Sequence, residues 1–270
     1  MPETTPRLGV IPDLAEELYH ADPGSISASG AKTLLRSPAH FLHERTYGRA
    51  GTRAMDLGTV AHELILGTGR GYVAVEGNRN AKAVKEEIAK HEADGKVVLK
   101  PDDLAAAERM ADAVLSHPMA GQILTSPGQS ELSMFWRDPA YDVIRRCRWD
   151  RFGDDGVGVD LKSARSADPE KLAKPVLDFG YEISAAWYSE IAAGLGVELA
   201  AYVLVFVESA EPHCVVVREL DDWYFDRGAE LAKQALEIYR HCLDTGEWPG
   251  YDDEGFATLP PPRWAQRDGA

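Results

Sequence analysis

The sequence predicts an α/β fold: a mixed five-stranded sheet flanked by helices and preceded by a helical N-terminal region. Three observations carry this. Apolar residues in the first 124 positions recur at helical spacing. Three short segments rich in β-branched and aromatic residues then follow one another, separated by the turn sequences DPA and GDDG. Beyond them LAAYVLVFVES (199–209) is a continuous apolar run suited to a buried central strand.

Taken in order, residues 1–24 carry Pro2, Pro6, Pro12 and Pro23 and read as a loosely packed lead-in. Ser29 is placed to cap a helix through Leu35, which Pro38 interrupts before apolar spacing resumes at Phe41 and Leu42. Helices are expected over 54–66, 80–93 and 102–116, the last with Asp102 or Asp103 in its first turn. Strands are expected over 131–138, 141–152 and 156–164, joined as a β-meander. Helical spacing returns over 168–174 and 181–193. The run at 199–209 and HCVVVREL (213–220) supply two more strands, and a long helix covers 221–243. The chain thus divides into the lead-in, one domain over 25–246 that is mainly helical to 124 and sheet core from 125, and an irregular Pro-rich tail over 247–270.

A length of 270 residues suits one large core with extensions. Apolar residues make up 44% and charged residues 27%, ordinary values for a folded domain, which excludes a disordered chain or a coiled coil. No apolar run approaches the roughly 20 residues of a membrane-spanning helix, and no basic stretch precedes an apolar segment at the N-terminus, so neither membrane insertion nor secretion is expected. Cys147, Cys214 and Cys242 have no CxxC spacing, so the sequence supports neither a disulfide framework nor a cysteine-held zinc or iron–sulfur cluster, and a reducing cytoplasm is expected. The net charge of −15 argues against a general polyanion-binding surface. Locally the balance reverses. Lys32, Arg36, Arg45, Arg49 and Arg53 face only Glu44 in their segment, and 145–174 is also basic. These segments are read as phosphate contacts to a confined anionic ligand, with Lys32, Arg36, Arg45 and Arg148 as candidates, or else as solvated faces.

The chemistry concentrates around VDLKSA (159–164). Asp150 ends the second meander strand and Asp160 lies in the third, so a hairpin sets the two carboxylates side by side. Lys162, two residues on, shares a face with Asp160. Carboxylates that hold Mg²⁺ or Mn²⁺ beside a lysine suit phosphodiester hydrolysis, since the cation polarises the phosphate and acidifies a water. A surface Asp–Lys pair is the plain alternative. Asp154 and Asp155 are turn residues. His62, on the helix over 54–66, is either packed or an additional metal ligand. Glu131 opens the first strand, as an outer carboxylate near the site or as a solvent-exposed terminus.

GTVAH (58–62), the strand end RCRWD (146–150), GVGVDLKSA (156–164) and the helix with Tyr181 and AAWYSE (185–190) together resemble the PD-(D/E)xK nuclease superfamily. Within it, SASGAKTLLRSPAHF (27–41), SHPMA (116–120) and the W…GY…LPPPRWA tail look like the RecE-like exodeoxyribonuclease (exonuclease VIII) branch, over roughly residues 25–265. The resemblance implies a nuclease-like α/β fold and a metal-dependent exodeoxyribonuclease. Such an enzyme degrades linear double-stranded DNA 5′→3′ in phage-type recombination, often as a ring-shaped homo-oligomer beside a single-strand annealing protein. It implies Mg²⁺, or Mn²⁺, held by His62, Asp150, Asp160 and the Leu161 carbonyl, with Lys162 as the catalytic lysine and Tyr188 as the tyrosine of a Q-xxx-Y motif. Where the family carries that glutamine this chain has Ser184, which shortens the reach toward water or DNA. Ser184 is the sequence support for a second class, a non-catalytic DNA-end-binding or assembly protein that keeps the nuclease fold. A third, a metal enzyme for a small phosphodiester, fits the acidic surface but not the basic segments.

Overall fold

The computed structural model describes residues 7–48, 51–251 and 258–262; Arg49 and the end of the tail motif lie outside the described residues. In chain order the elements are β1 (Gly9–Ile11), α1 (Glu16–His20), β2 (Ser25–Ser27), α2 (Ala28–Arg36), α3 (Pro38–Tyr47), α4 (Arg53–Leu66), β3 (Tyr72–Ala74), α5 (Lys82–Ala93), β4 (Val97–Leu99), α6 (Pro101–Ser116) and α7 (Pro118–Thr125). There follow β5 (Gly128–Asp138), β6 (Val143–Gly153), β7 (Val157–Ala164), α8 (Ala173–Asp178), α9 (Tyr181–Gly194), β8 (Ala201–Glu208), β9 (Val215–Glu219) and α10 (Asp222–Thr245). No helix among the described residues is long and apolar enough to cross a membrane.

The expected mixed α/β sheet is present: β5 to β9 occupy the five predicted segments. The sheet runs β1-β5-β6-β7-β8-β9, with β2 alongside β6. Its pairs are antiparallel except β7–β8 and β2–β6. Alternation along the strands separates two apolar layers. On one face Trp149, Trp187, Tyr202 and Phe206 pack with α2, α9 and α10. On the other Leu161 and Val205 meet Val60 of α4 and Met110 and Val114 of α6. The sheet is therefore covered on both sides, as a parallel β7–β8 pair requires.

Four strands go beyond the sequence reading. β1, β2 and the separate parallel pair β3–β4 have three residues each, too few to show a period. The lead-in, expected to be loose, contributes β1 to the edge of β5 and buries Tyr19 against Phe135. Helix α2 is capped by Ser27, not Ser29: the Ser27 hydroxyl accepts from the Gly30 N–H at 3.2 Å. Residues 168–174 do not form the expected helix. The Asp168 carboxylate accepts from the Glu170 N–H at 3.1 Å, a turn that competes with the helix, and α8 begins only at Ala173.

Strands β6 and β7 pair at only two positions, Arg151↔Val159 and Phe152↔Gly158. Beyond these, β6 takes β2 as its parallel neighbour while β7 stays with β8 for eight positions. The two strands fork, and the Trp149 indole fills the crotch: a Cβ on Gly158 would lie 2.2 Å from its ring. Trp187 Nε1 donates to the Arg146 carbonyl at 3.0 Å, where β6 is departing from β7.

Candidate active site

Continuing the register past the last β6–β7 pair puts Asp150 opposite Asp160, as the hairpin argument expects. Here the ladder has ended, so backbone groups are free for side chains. The Leu161 N–H donates to Asp150 Oδ2 at 2.5 Å. Asp160 commits one oxygen to Lys162 and accepts from the Tyr202 hydroxyl on the other at 2.8 Å. Helix α4 brings the fourth group. It is capped by Thr52 and closed by Gly67 in the left-handed region, and it lies close on β7 because Gly58 carries no Cβ, which would stand 2.9 Å from Ser163 Oγ. This approach sets His62 Nδ1 4.0 Å from Asp150 Oδ1.

The electrostatics follow from burial and charge pairing. Burial pushes the Asp150 carboxyl well above the carboxylate range, and the Asp160 charge adds to it. Burial acts the same way on Asp160, but the Lys162 ammonium outweighs it and holds that carboxyl below its ordinary value. Lys162, despite burial, is raised by Asp160 and Asp150 and stays protonated. Burial, then the Lys162 charge, lower the His62 ring to about 4, so it is neutral at pH 7.

Glu131 faces Asp150 across β5–β6, between the pairs Ser130↔Arg151 and Leu132↔Trp149, with a left-handed φ of 54°. It lines a cleft of about 380 Å³ that also borders His62 and carries Asp13, Glu16 and Glu17. Burial raises the Glu131 carboxyl; Arg148, 3.5 Å away, works against this.

The other predicted residues divide. Lys32, on α2, lies 5.5 Å from the Tyr181 ring on the Lys162 side of the site. Burial, then Lys162, lower its ammonium to about 8. Arg36 donates to the Tyr251 hydroxyl at 3.3 Å, away from these groups in its bonding. Arg45 donates to the Tyr239 hydroxyl at 2.9 Å and to the Pro23 carbonyl. Arg148 donates to Ser133 Oγ at 2.9 Å and to the Leu14 carbonyl at 2.6 Å, above the Tyr19 ring. The last two guanidinium groups thus serve the fold. Tyr188 packs 5.0 Å from the Trp149 ring, and Ser184 is buried one turn earlier on α9; neither hydroxyl makes a hydrogen bond among the described residues. Tyr202 was not singled out by the sequence, and Tyr181 was named only as part of the family-like helix, with no role in the site. A hydroxyl in the middle of the apolar run 199–209 was the one available signal for Tyr202.

A model of the PDDEXK-like domain of unknown function (DUF3799) matches residues 27–255. The chain belongs to this family. The PDDEXK-like chain is also similar to solved structures. A provisionally named exonuclease from Eubacterium rectale shares 13% identity over 96% of this chain and 99% of its own, with a TM-score of 0.63. A phage-related exonuclease from Haemophilus somnus shares 11% identity over 83% of this chain and 96% of its own, with a TM-score of 0.35. No match is found among curated proteins. The PDDEXK-like fold is thus supported by the family model and by the first of these structures.

PD-(D/E)xK nucleases generally use divalent cations. Two carboxylates, one imidazole and a backbone carbonyl make an oxygen-rich donor set that suits a hard ion. Burial, then the Asp160 charge, raise the Asp150 carboxyl, and a cation held between the two carboxylates would favour its ionised form. Among the described residues no three His, Cys, Asp or Glu side chains are gathered as a metal cage, and Asp160 contacts Lys162 and Tyr202. The chemistry of the donors fits a hard divalent ion.

Proposed function

We propose that this PDDEXK-like protein is a metal-dependent DNA nuclease. The observation that carries the reading is the convergence of His62, Asp150, Asp160 and Lys162 where β6 and β7 part. A divalent cation held by Asp150, Asp160, His62 and the Leu161 carbonyl would supply Lewis acidity toward a phosphate and a readily ionised water. The chain prepares the rest. Leu161 N–H and Tyr202 fix the two carboxylates, as outer hydrogen bonds fix ligands generally. His62, neutral, keeps a nitrogen lone pair. Lys162, protonated, stabilises charge that builds on the phosphate oxygens, and Lys32 adds a second cation beside it. Tyr188 and Ser184 stand where the family motif has its tyrosine and glutamine, and Glu131 acts as an outer carboxylate.

The resemblance to the RecE-like branch sharpens this to an exodeoxyribonuclease on linear duplex ends, 5′→3′, using Mg²⁺, in a homo-oligomer of phage-type recombination with an annealing protein as partner. Incubation with Mg²⁺ and either a linear duplex or a closed circle of the same sequence tests it. Mononucleotides should appear from the linear form alone and cease with a chelator. Cleavage of the circle would replace exonuclease by endonuclease, and no release with Mg²⁺ or Mn²⁺ would overturn the nuclease reading. Tight binding of duplex ends without release would favour the non-catalytic class, to which Ser184 in place of the family's glutamine points.

A further inference from the structure

The segment VLDFGYEI (176–183) joins α8 to α9 through Gly180, whose φ of 61° is strained for any residue with a side chain. A Cβ there would also stand 3.2 Å from Ile183 and 3.3 Å from Lys32. This sharp turn leaves Phe179 62% exposed and stacks its ring on Tyr181, with centroids 5.7 Å apart and planes inclined by 25°. Over the Tyr181 ring lie Lys162 Nζ at 5.1 Å and Lys32 Nζ at 5.5 Å from its centroid. The exposed Phe179 ring, the Tyr181 ring and the two ammonium groups thus form one cluster, tied to the site through the Lys162–Asp160 contact. Lys32 makes no hydrogen bond or ion pair among the described residues.

The cleft beside His62 is predominantly acidic. It carries Asp13, Glu16, Glu17, Glu63 and Glu131 against Arg70 and Arg148. A phosphate is better matched by the Lys162 and Lys32 ammonium groups at Tyr181 than by that cleft. We propose that the Phe179–Tyr181 stack is a base-binding subsite: it takes the face of the nucleobase belonging to the nucleotide whose phosphate rests against Lys162 and Lys32. The proposal rests on the nuclease reading for its substrate. Every base has a π face, so such a platform grips a strand without selecting sequence.

The probe is a DNA strand carrying 2-aminopurine at its terminal position, bound in the presence of a chelator so that it is not cut. Wild-type protein should quench the fluorescence. Phe179→Ala should abolish the quench and weaken binding on the order of tenfold, whereas Phe179→Trp should keep both. A strand with an abasic terminal position should bind wild-type and Phe179→Ala protein equally, because the ring then has no partner. The exposure of Phe179 makes the substitution benign to folding, and circular dichroism checks this. An unchanged quench in Phe179→Ala overturns the subsite, as does self-association lost in that variant while the quench persists. Quenching by a wild-type protein that releases no nucleotides under Mg²⁺ would sustain the subsite and sink the nuclease reading. Nucleotide release without quenching would do the reverse.

Discussion

At Asp150 burial and the neighbouring Asp160 charge both favour the protonated carboxyl. Its folded pKa therefore lies above the unfolded value of about 3.9. Between the two, the folded state holds a proton that the unfolded state has lost, so stability falls as pH rises through that window. Asp150→Asn is expected to raise the melting temperature of the metal-free protein at pH 7, with the gain fading as pH drops below about 4. Hydrolysis should be lost in the same variant. Melting curves across pH check this; equal stability at pH 7 would mean that Asp150 carries no such burden. Asp150, Asp160 and Lys162 were legible because strand alternation and a short hairpin are local properties. Tyr202, and the place of Tyr181 beside them, were not, since their nearness depends on the parallel β7–β8 register and on the turn at Gly180.

At the scale of elements the fork depends on one steric fit. A methyl at residue 158 would stand 2.2 Å from the fully buried Trp149 ring, so Gly158→Ala must displace the indole or the strand. Overpacking of this kind costs about 1–3 kcal/mol. A lowered denaturant midpoint is expected, with slower nucleotide release because Asp150 follows Trp149 directly in β6. A Gly158→Ala protein of wild-type stability would show that the crotch has room to spare. The strands β5 to β9 and helices α4, α5, α6, α9 and α10 were readable because each is long enough for its period to repeat. β1 to β4 gain their structure from partners, Met134 beside Val10 or Arg145 beside Ile26, which no short-range pattern records.

For the whole molecule the charge balance changes meaning once the arginines are placed. Arg45, Arg145, Arg146 and Arg148 all have internal oxygen partners, so much of the basic character seen along the chain is directed inward. Arg45→Glu should therefore leave the slope of log affinity for DNA against log salt unchanged. Lys32→Ala should flatten it by about 0.9 for one lost phosphate contact. Binding isotherms at several ionic strengths decide; a flattened slope for Arg45→Glu would return that residue to the DNA surface. The two-position contact between β6 and β7 also has a mechanical reading. It joins two leaves of sheet, β1-β5-β6 with β2 on one side and β7-β8-β9 on the other, like the spine of a book. Rotation about a spine displaces each point in proportion to its distance from the axis. Asp150 and Asp160 sit one position from that axis, so whatever swing the leaves make to admit a strand, the spacing of the two carboxylates changes least.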